Sequence, residues 1–248
     1  MRRAGAGLIL VAGLAMAGAG AARAEVLVVD LSQHRIAITS GFTGADVLLF
    51  GARDGEGDVV VVLRGPERPV YVRRKARIAG MWLNRDEVEF ADAPGFYAVA
   101  ASQPLKKLVP PDVLAENQIG VGNLTLSTSY TGSHTDLDSF RTALFRNMQR
   151  RGLYLDEEGD LRFVGNQLFR TQFPLPANVP TGLYHADVYL IGGGVVISKR
   201  TTALEISKTG FEAAMFDMSR RRPLLYGLVA VAIALVAGWL AGLVFRKR

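Results

Sequence analysis

The 248-residue chain has no cysteine, only three histidines and only two tryptophans. Without cysteine there is no disulfide framework and no thiolate metal site, so packing alone has to hold the body together. The histidines, His34, His134 and His185, never stand three or four residues apart, which excludes the usual paired-histidine zinc patterns. An excess of positive charge is missing from the middle of the chain. Six of the 29 basic residues (Arg2, Arg3, Arg23, Arg246, Lys247 and Arg248) flank the two apolar ends, and the 23 that remain balance the 23 acidic residues. The net charge of +6 therefore belongs to the ends, and a nucleic-acid-binding body is not expected.

Long apolar runs are absent from the middle and present at both ends. Arg2 and Arg3 precede a charge-free stretch, Ala4 to Ala22, with an apolar core from Leu8 to Met16 and the small-residue pattern Ala22-Arg23-Ala24. This reads as an export signal, residues 1–24, cleaved after Ala24. Cleavage after Ala21 and retention as an N-terminal helix are the alternatives. The second charge-free stretch, residues 224–245, reaches about 33 Å as a helix, enough for a hydrocarbon core of about 30 Å. Only a helix satisfies its backbone there. Pro223 stands at the entry, where a missing N–H costs nothing. Three cations on each side, Arg220–Arg222 and 246–248, leave the charge bias tied. The export signal breaks the tie. The expected topology is a bacterial inner-membrane protein with one pass, its ectodomain in the periplasm and residues 246–248 in the cytoplasm. Residues 210–223 read as a juxtamembrane amphipathic segment, with Phe211, Met215 and Met218 on one face.

Between the ends the chain reads as mainly β. Short runs rich in Val, Ile, Phe and Tyr recur from Val26 to Ala100, among them Val59–Leu63, Val70–Arg74, Ile78–Leu83 and Val88–Phe90, separated by turns such as Gly65-Pro66 and Ala93-Pro94-Gly95. Val59–Leu63 is apolar at every position and reads as a central strand. Gln103-Pro104 and Pro110-Pro111 bracket an expected linker. Beyond it, a helix is expected from Leu137 to Arg151, capped by Thr135 with Asp138 and stopped by Gly152. Strands return from Leu168 to Ser207, with Gly192-Gly193-Gly194 as a hairpin loop. Gly95-Phe96-Tyr97 and Gly182-Leu183-Tyr184 both place Gly-x-Tyr at a strand start, as Ig-like domains do for a corner tyrosine. The expected fold is thus two tandem Ig-like β-sandwich domains, 25–103 and 104–209, the second with an inserted helix at 137–151, followed by a single C-terminal transmembrane helix. One continuous β-rich domain is the alternative.

No catalytic constellation stands out. Ser127, Ser129, Ser133, His134, Asp136 and Asp138 crowd one stretch, but without a nucleophile elbow they read as a loop capping the helix. Asp156 to Asp160 lacks the alternating ligands of a calcium loop. Asn123-Leu124-Thr125 is a formal glycosylation triplet. Residues 40–45 carry Gly and hydroxyls but precede no helix. Two interaction signals remain. Arg73, Lys75 and Arg77 face one way on an extended chain and form a row suited to an anionic partner, or a charged guard on an edge strand. Ala230, Ala234, Gly238 and Gly242 recur every four residues, a row that lets a second helix approach closely.

Taken in order, Ser40-Gly41-Phe42-Thr43-Gly44-Ala45, Leu49-Phe50-Gly51, Val62-Leu63-Arg64-Gly65-Pro66, Val72-Arg73-Arg74-Lys75, Gly95-Phe96-Tyr97-Ala98 and the Arg-rich anchor resemble a family of single-anchor transmembrane proteins described from alphaproteobacteria, Alph_Pro_TM. The resemblance implies an inner-membrane protein with a periplasmic ectodomain and carries no catalytic residues. The expected function is a non-enzymatic, membrane-anchored binding or scaffolding protein, with the lipid bilayer and another membrane protein, such as a transporter, as partners. No cofactor, metal or nucleic acid is expected. An enzyme or metal-handling protein using His134 or His185 is the alternative.

Overall fold

Val59–Leu63 lies where an all-apolar run belongs, at the centre of a sheet. The computed structural model describes residues 27–78, 80–209, 219–220 and 223–245. It contains eleven strands: β1 (Leu27–Leu31), β2 (Arg35–Ile38), β3 (Gly44–Arg53), β4 (Asp58–Arg64), β5 (Glu67–Ile78), β6 (Met81–Pro94), β7 (Tyr97–Ala101), β8 (Gly159–Val164), β9 (Leu168–Pro176), β10 (Gly182–Gly192) and β11 (Val195–Lys208). Nine of them form one sheet in the order β1-β3-β9-β8-β7-β4-β10-β11-β2, and β5 pairs with β6 alone. The β7–β8 and β11–β2 joins are parallel and the rest antiparallel. The sheet rolls until β1 meets β11, beyond the short span that β2 covers, and there Arg200 Nε donates to the carbonyl of Leu27 (3.3 Å). One core fills the roll, from Leu27, Leu49, Phe169 and Phe173 to Val61, Val188, Leu204 and Ile206.

The pairing corrects the expected domain division. Strands from either side of residue 103 interleave: β3 pairs with β9, β4 with β10 and β2 with β11. The boundary at 103/104 does not separate two sheets, and the pairing shows one continuous β unit rather than two tandem Ig-like sandwiches. The reason lies in β4. Its residues Val59 to Leu63 are fully buried, so it needs a strand on each side. β7 supplies one flank, and only β10, from the far half of the chain, supplies the other.

The expected linker is instead a cover. Helices α1 (Leu105–Leu108) and α2 (Pro111–Glu116) and a single 3-10 turn (Val121–Asn123) form a strap that buries Leu105, Leu108, Val109, Ile119 and Leu124. A strand apolar on both faces needs such a second layer. Residues 124–128 contribute only an isolated bridge, from Thr128 to Phe90.

Helix α3 (His134–Arg150) begins earlier than expected. Ser133, not Thr135, is the N-cap, accepting from the N–H of Asp136 (3.2 Å), and the Ser133 hydroxyl donates to the Asp136 carboxylate (3.0 Å). Phe140, Leu144 and Met148 are buried and Leu137 is partly buried, as the stripe of apolar positions requires. Gly152, at φ +69°, ends the helix in a conformation that a side chain disfavours.

β5 and β6 form a long ribbon. The expected strand Ile78–Leu83 is in fact its tip: the chain reverses between Ile78 and Met81. Helix α4 (Pro223–Phe245) closes the described chain; its segment Pro223–Gly242 has a mean hydropathy of 2.3 and none of it is buried. It is the one described helix long and apolar enough to cross a membrane. The expected signal segment 1–24, the apolar side chains of the juxtamembrane segment (Phe211, Met215, Met218) and the tail 246–248 lie outside the described residues.

Candidate functional site

The register of the sheet places a polar set on the strap-side face of the central strands. Arg64 stands opposite both Tyr97 and His185, and Val62 opposite Asp187, which in turn faces Thr201. Period-two alternation then puts Tyr97, Arg64, His185, Asp187 and Thr201 on one face. Arg64 pairs with Asp187 through Nη1, while its Nη2 donates to the carbonyls of Asn117 (3.0 Å) and Gln118 (3.1 Å). Thr201 donates to the other Asp187 oxygen (2.6 Å), and Lys199 Nζ lies 3.4 Å from that carboxylate. Tyr97 donates to the Gln118 carbonyl and accepts from the Gly120 N–H, each at 2.8 Å. Burial pushes the Tyr97 hydroxyl up to about 12, against the pull of the Arg64 guanidinium.

These groups hold the strap on the sheet. Gln118, at φ +51°, is the one described non-glycine residue in the left-handed region, and Arg64 and Tyr97 clamp it there. Beside the clamp lies an open cleft of about 660 Å³, with Glu67, Asp92, Thr125 and His185 on its walls. Asp92 is committed to Ser127, accepting from its N–H (2.7 Å) and its hydroxyl (2.6 Å). Burial raises the Asp92 pKa, but these bonds outweigh it, and the carboxyl sits below its usual range. His185 is exposed on the cleft wall. Neither it nor His134 belongs to any group of three or more metal-ligating side chains among the described residues. His34 pairs with Asp30 on the surface (2.9 Å). The arrangement pins chain to chain: the Ser127 and Thr201 hydroxyls and the Arg64 guanidinium are all engaged with carboxylates or carbonyls of the body itself.

The second feature starts at the rim of this cleft. Gly65 N–H donates to the Phe96 carbonyl (2.8 Å) and Gly95 N–H to the Pro66 carbonyl (2.9 Å), so the β4–β7 ladder runs on into β5–β6. At this root Gly182 (φ +141°) packs so closely that a Cβ would sit 2.8 Å from Pro66 Cγ. The proximal ribbon is supported: Val72, Val88 and Phe90 are buried, and Arg74 reaches α3, bonding Asp136 (3.1 Å) and Ser139 (2.7 Å) and lying 4.4 Å over the Phe140 ring. The Arg74 bond holds the Asp136 carboxyl below its usual range. Past a bulge at Arg74/Lys75, residues 75, 77 and 81–85 of the ribbon are exposed, with no cover among the described residues. Met81, Trp82 and Leu83 are 62%, 68% and 44% exposed.

The expected cationic row is here. Arg73, Lys75 and Arg77 alternate along β5, which is an edge strand, since only β6 pairs with it. Arg73 is neutralised by Glu87 and Arg77 donates to the Gly80 carbonyl (3.4 Å). The crowded polar stretch 127–138 proves to be caps and ties: Ser127 to Asp92, Ser133 to α3, Asp136 to Arg74. The acidic turn does the same, Asp156 accepting from Gln149 (2.7 Å) and Glu158 from the Leu105 N–H (3.0 Å). Of the two Gly-x-Tyr tyrosines, Tyr184 does bond back locally, to the Pro180 carbonyl (2.6 Å), whereas Tyr97 reaches across to the strap. On α4, residues 230, 234, 238 and 242 are exposed, and nothing lies within 4 Å of a Cβ added at Gly238 or Gly242. Sequence reading missed the Arg64–Asp187 pair and the Trp82 tip. A lone Asp within the apolar run Tyr184–Ile191 was the available signal for the first.

A β body joined to one long, unburied apolar helix is the make-up of a membrane protein with, among the described residues, one candidate C-terminal span. Residues 26–247 match the family model described as Putative transmembrane protein (Alph_Pro_TM), and the chain belongs to that family. No curated protein matches it.

Proposed function

We propose that the chain is a non-enzymatic, membrane-tethered binding or scaffolding module of the bacterial inner membrane. Its β body stands on the periplasmic side, and it serves another membrane protein such as a transporter. The observation that supports this is a contrast. The buried Arg64–Asp187 pair of the body is engaged in holding its own strap, while α4 packs against nothing among the described residues. The row Ala230, Ala234, Gly238 and Gly242 gives α4 a flank that another helix can approach closely. Co-purification of the intact protein from native membranes, against a Gly238→Leu/Gly242→Leu variant, tests the reading. The expected result is a partner lost on substitution; an identical set of co-purifying proteins removes α4 from the interface. A reporter fused before Arg220 that reads cytosolic overturns the sidedness.

A further inference from the structure

We infer that the distal ribbon dips into the bilayer to which α4 anchors the chain, with Met81, Trp82 and Leu83 entering the headgroup–acyl boundary of anionic lipid. The inference rests on the tethered reading above and names what the ribbon meets. Four observations carry it.

The ribbon points the right way. It continues the β4–β7 ladder beyond the sheet, from Val60↔Ala101 out to Ile78↔Met81. It does so at the end where the chain leaves for the anchor: Ile206, near the end of β11, pairs with Gly182, and Gly182 packs on Pro66 at the ribbon root.

The lengths agree. Twelve residues of β5 project about 40 Å at strand rise. The fourteen residues between Lys208 and Pro223 reach at most about 48 Å. A body hung on that tether brings the tip to the surface.

The chemistry fits an anionic interface. Residues 73 to 87 carry five cations (Arg73, Arg74, Lys75, Arg77, Arg85) and two carboxylates (Asp86, Glu87). Among the described residues no carboxylate lies within ion-pair distance of Lys75 or Arg77. Trp is the side chain enriched at the membrane–water boundary, and basic residues beside it meet headgroup phosphates.

The shape favours lipid over protein. Register puts Trp82 opposite Arg77 on one face of the ribbon and Leu83 opposite Ala76 on the other. A partner protein docks against one face and a stable interface takes about 800 Å² of it. A bilayer surrounds a narrow tip and covers both faces.

The chain has two tryptophans, so Trp239→Phe leaves Trp82 as the sole reporter in the full-length protein. This variant is reconstituted into vesicles of phosphatidylcholine alone or rich in phosphatidylglycerol. In the anionic vesicles Trp82 emission shifts to the blue, is quenched by lipid brominated near the headgroup and is shielded from acrylamide. Lys75→Glu/Arg77→Glu reduces the inserted fraction by about 25-fold, at roughly fivefold per cation. An unchanged thermal unfolding profile of the body shows that the double variant is folded. Equal acrylamide access in both lipids overturns the inference, as does quenching that ignores the charge reversal. Trp82 open in both vesicles but shielded in native membranes also overturns it, and assigns the tip to a protein partner. The vesicles hold only this chain and alike leaflets, so the result is independent of the co-purification experiment and of sidedness.

Discussion

The proximal and distal halves of one β-ladder behave in opposite ways. From Val60↔Ala101 to Arg64↔Tyr97 the ladder is sealed on both faces, by the core on one side and the strap on the other. From Lys75↔Asn84 to Arg77↔Trp82, and at Met81, it is largely open to solvent. The backbone pairing is the same, so hydrogen bonds do not account for the difference; side chains do. Val and Ala on both faces demand two covering layers, and the chain provides them. Lys75, Arg77 and Asn84 need none. What stands out is that the bare half also carries Met81 and Trp82, apolar groups that water does not favour.

The sharpest way to break the comparison is to make the sealed half resemble the bare one. Val61 is fully buried, so Val61→Asp places an unpaired charge in the core. It should cost at least about 4 kcal/mol, enough to unfold the body as read by circular dichroism and proteolysis. Asp187→Ala strikes the strap-side face. It leaves the Arg64 guanidinium, only 20% exposed, without its carboxylate and should cost about 3 kcal/mol in denaturant unfolding. Limited proteolysis should then cut first near Asn117–Gln118, because Arg64 holds those carbonyls.

Tyr97→Phe should cost about 2 kcal/mol by leaving the Gln118 carbonyl and the Gly120 N–H unpaired. It also predicts a pH effect. The Tyr97 hydroxyl is raised from 10.0 to about 12 on folding, so the folded state keeps a proton that the unfolded chain releases. Its contribution is complete below pH 10 and is lost as pH rises from there through about 12. The wild type should therefore lose stability across that window, and Tyr97→Phe should lose less. Some decline remains, because burial also raises the hydroxyls of Tyr154 and Tyr184. The smallest effect belongs to the bare half: Trp82→Ala should leave body stability within about 0.5 kcal/mol, a change that thermal unfolding resolves from the others.

Strand content was legible because strand signals are local: runs such as Val59–Leu63 and Tyr184–Ile191 announce themselves by apolar, β-branched residues between turns. The α3 stripe was legible for the same reason, and its cap was misplaced by two residues because Ser133 and Thr135 offer the backbone the same hydroxyl. Partner choice was not legible. Nothing near β4 in sequence says that its second neighbour comes from beyond residue 180. The ribbon reads from sequence as three short strands because the polar stretches 75–77 and 84–87 separate its apolar runs. The cationic row was readable from period two, but that its end carries an uncovered Trp82 was not.

By itself the sequence determined the anchor, the β character of the body and the absence of a thiol framework. Each follows from composition and short-range periodicity, which act within a few residues of themselves. The single rolled sheet, the strap, the Arg64–Asp187 clamp and the reach of the ribbon were decided only in three dimensions. They depend on which buried surfaces find one another across more than a hundred residues, and that choice is made by the total apolar area and charge that the whole chain can cover at once.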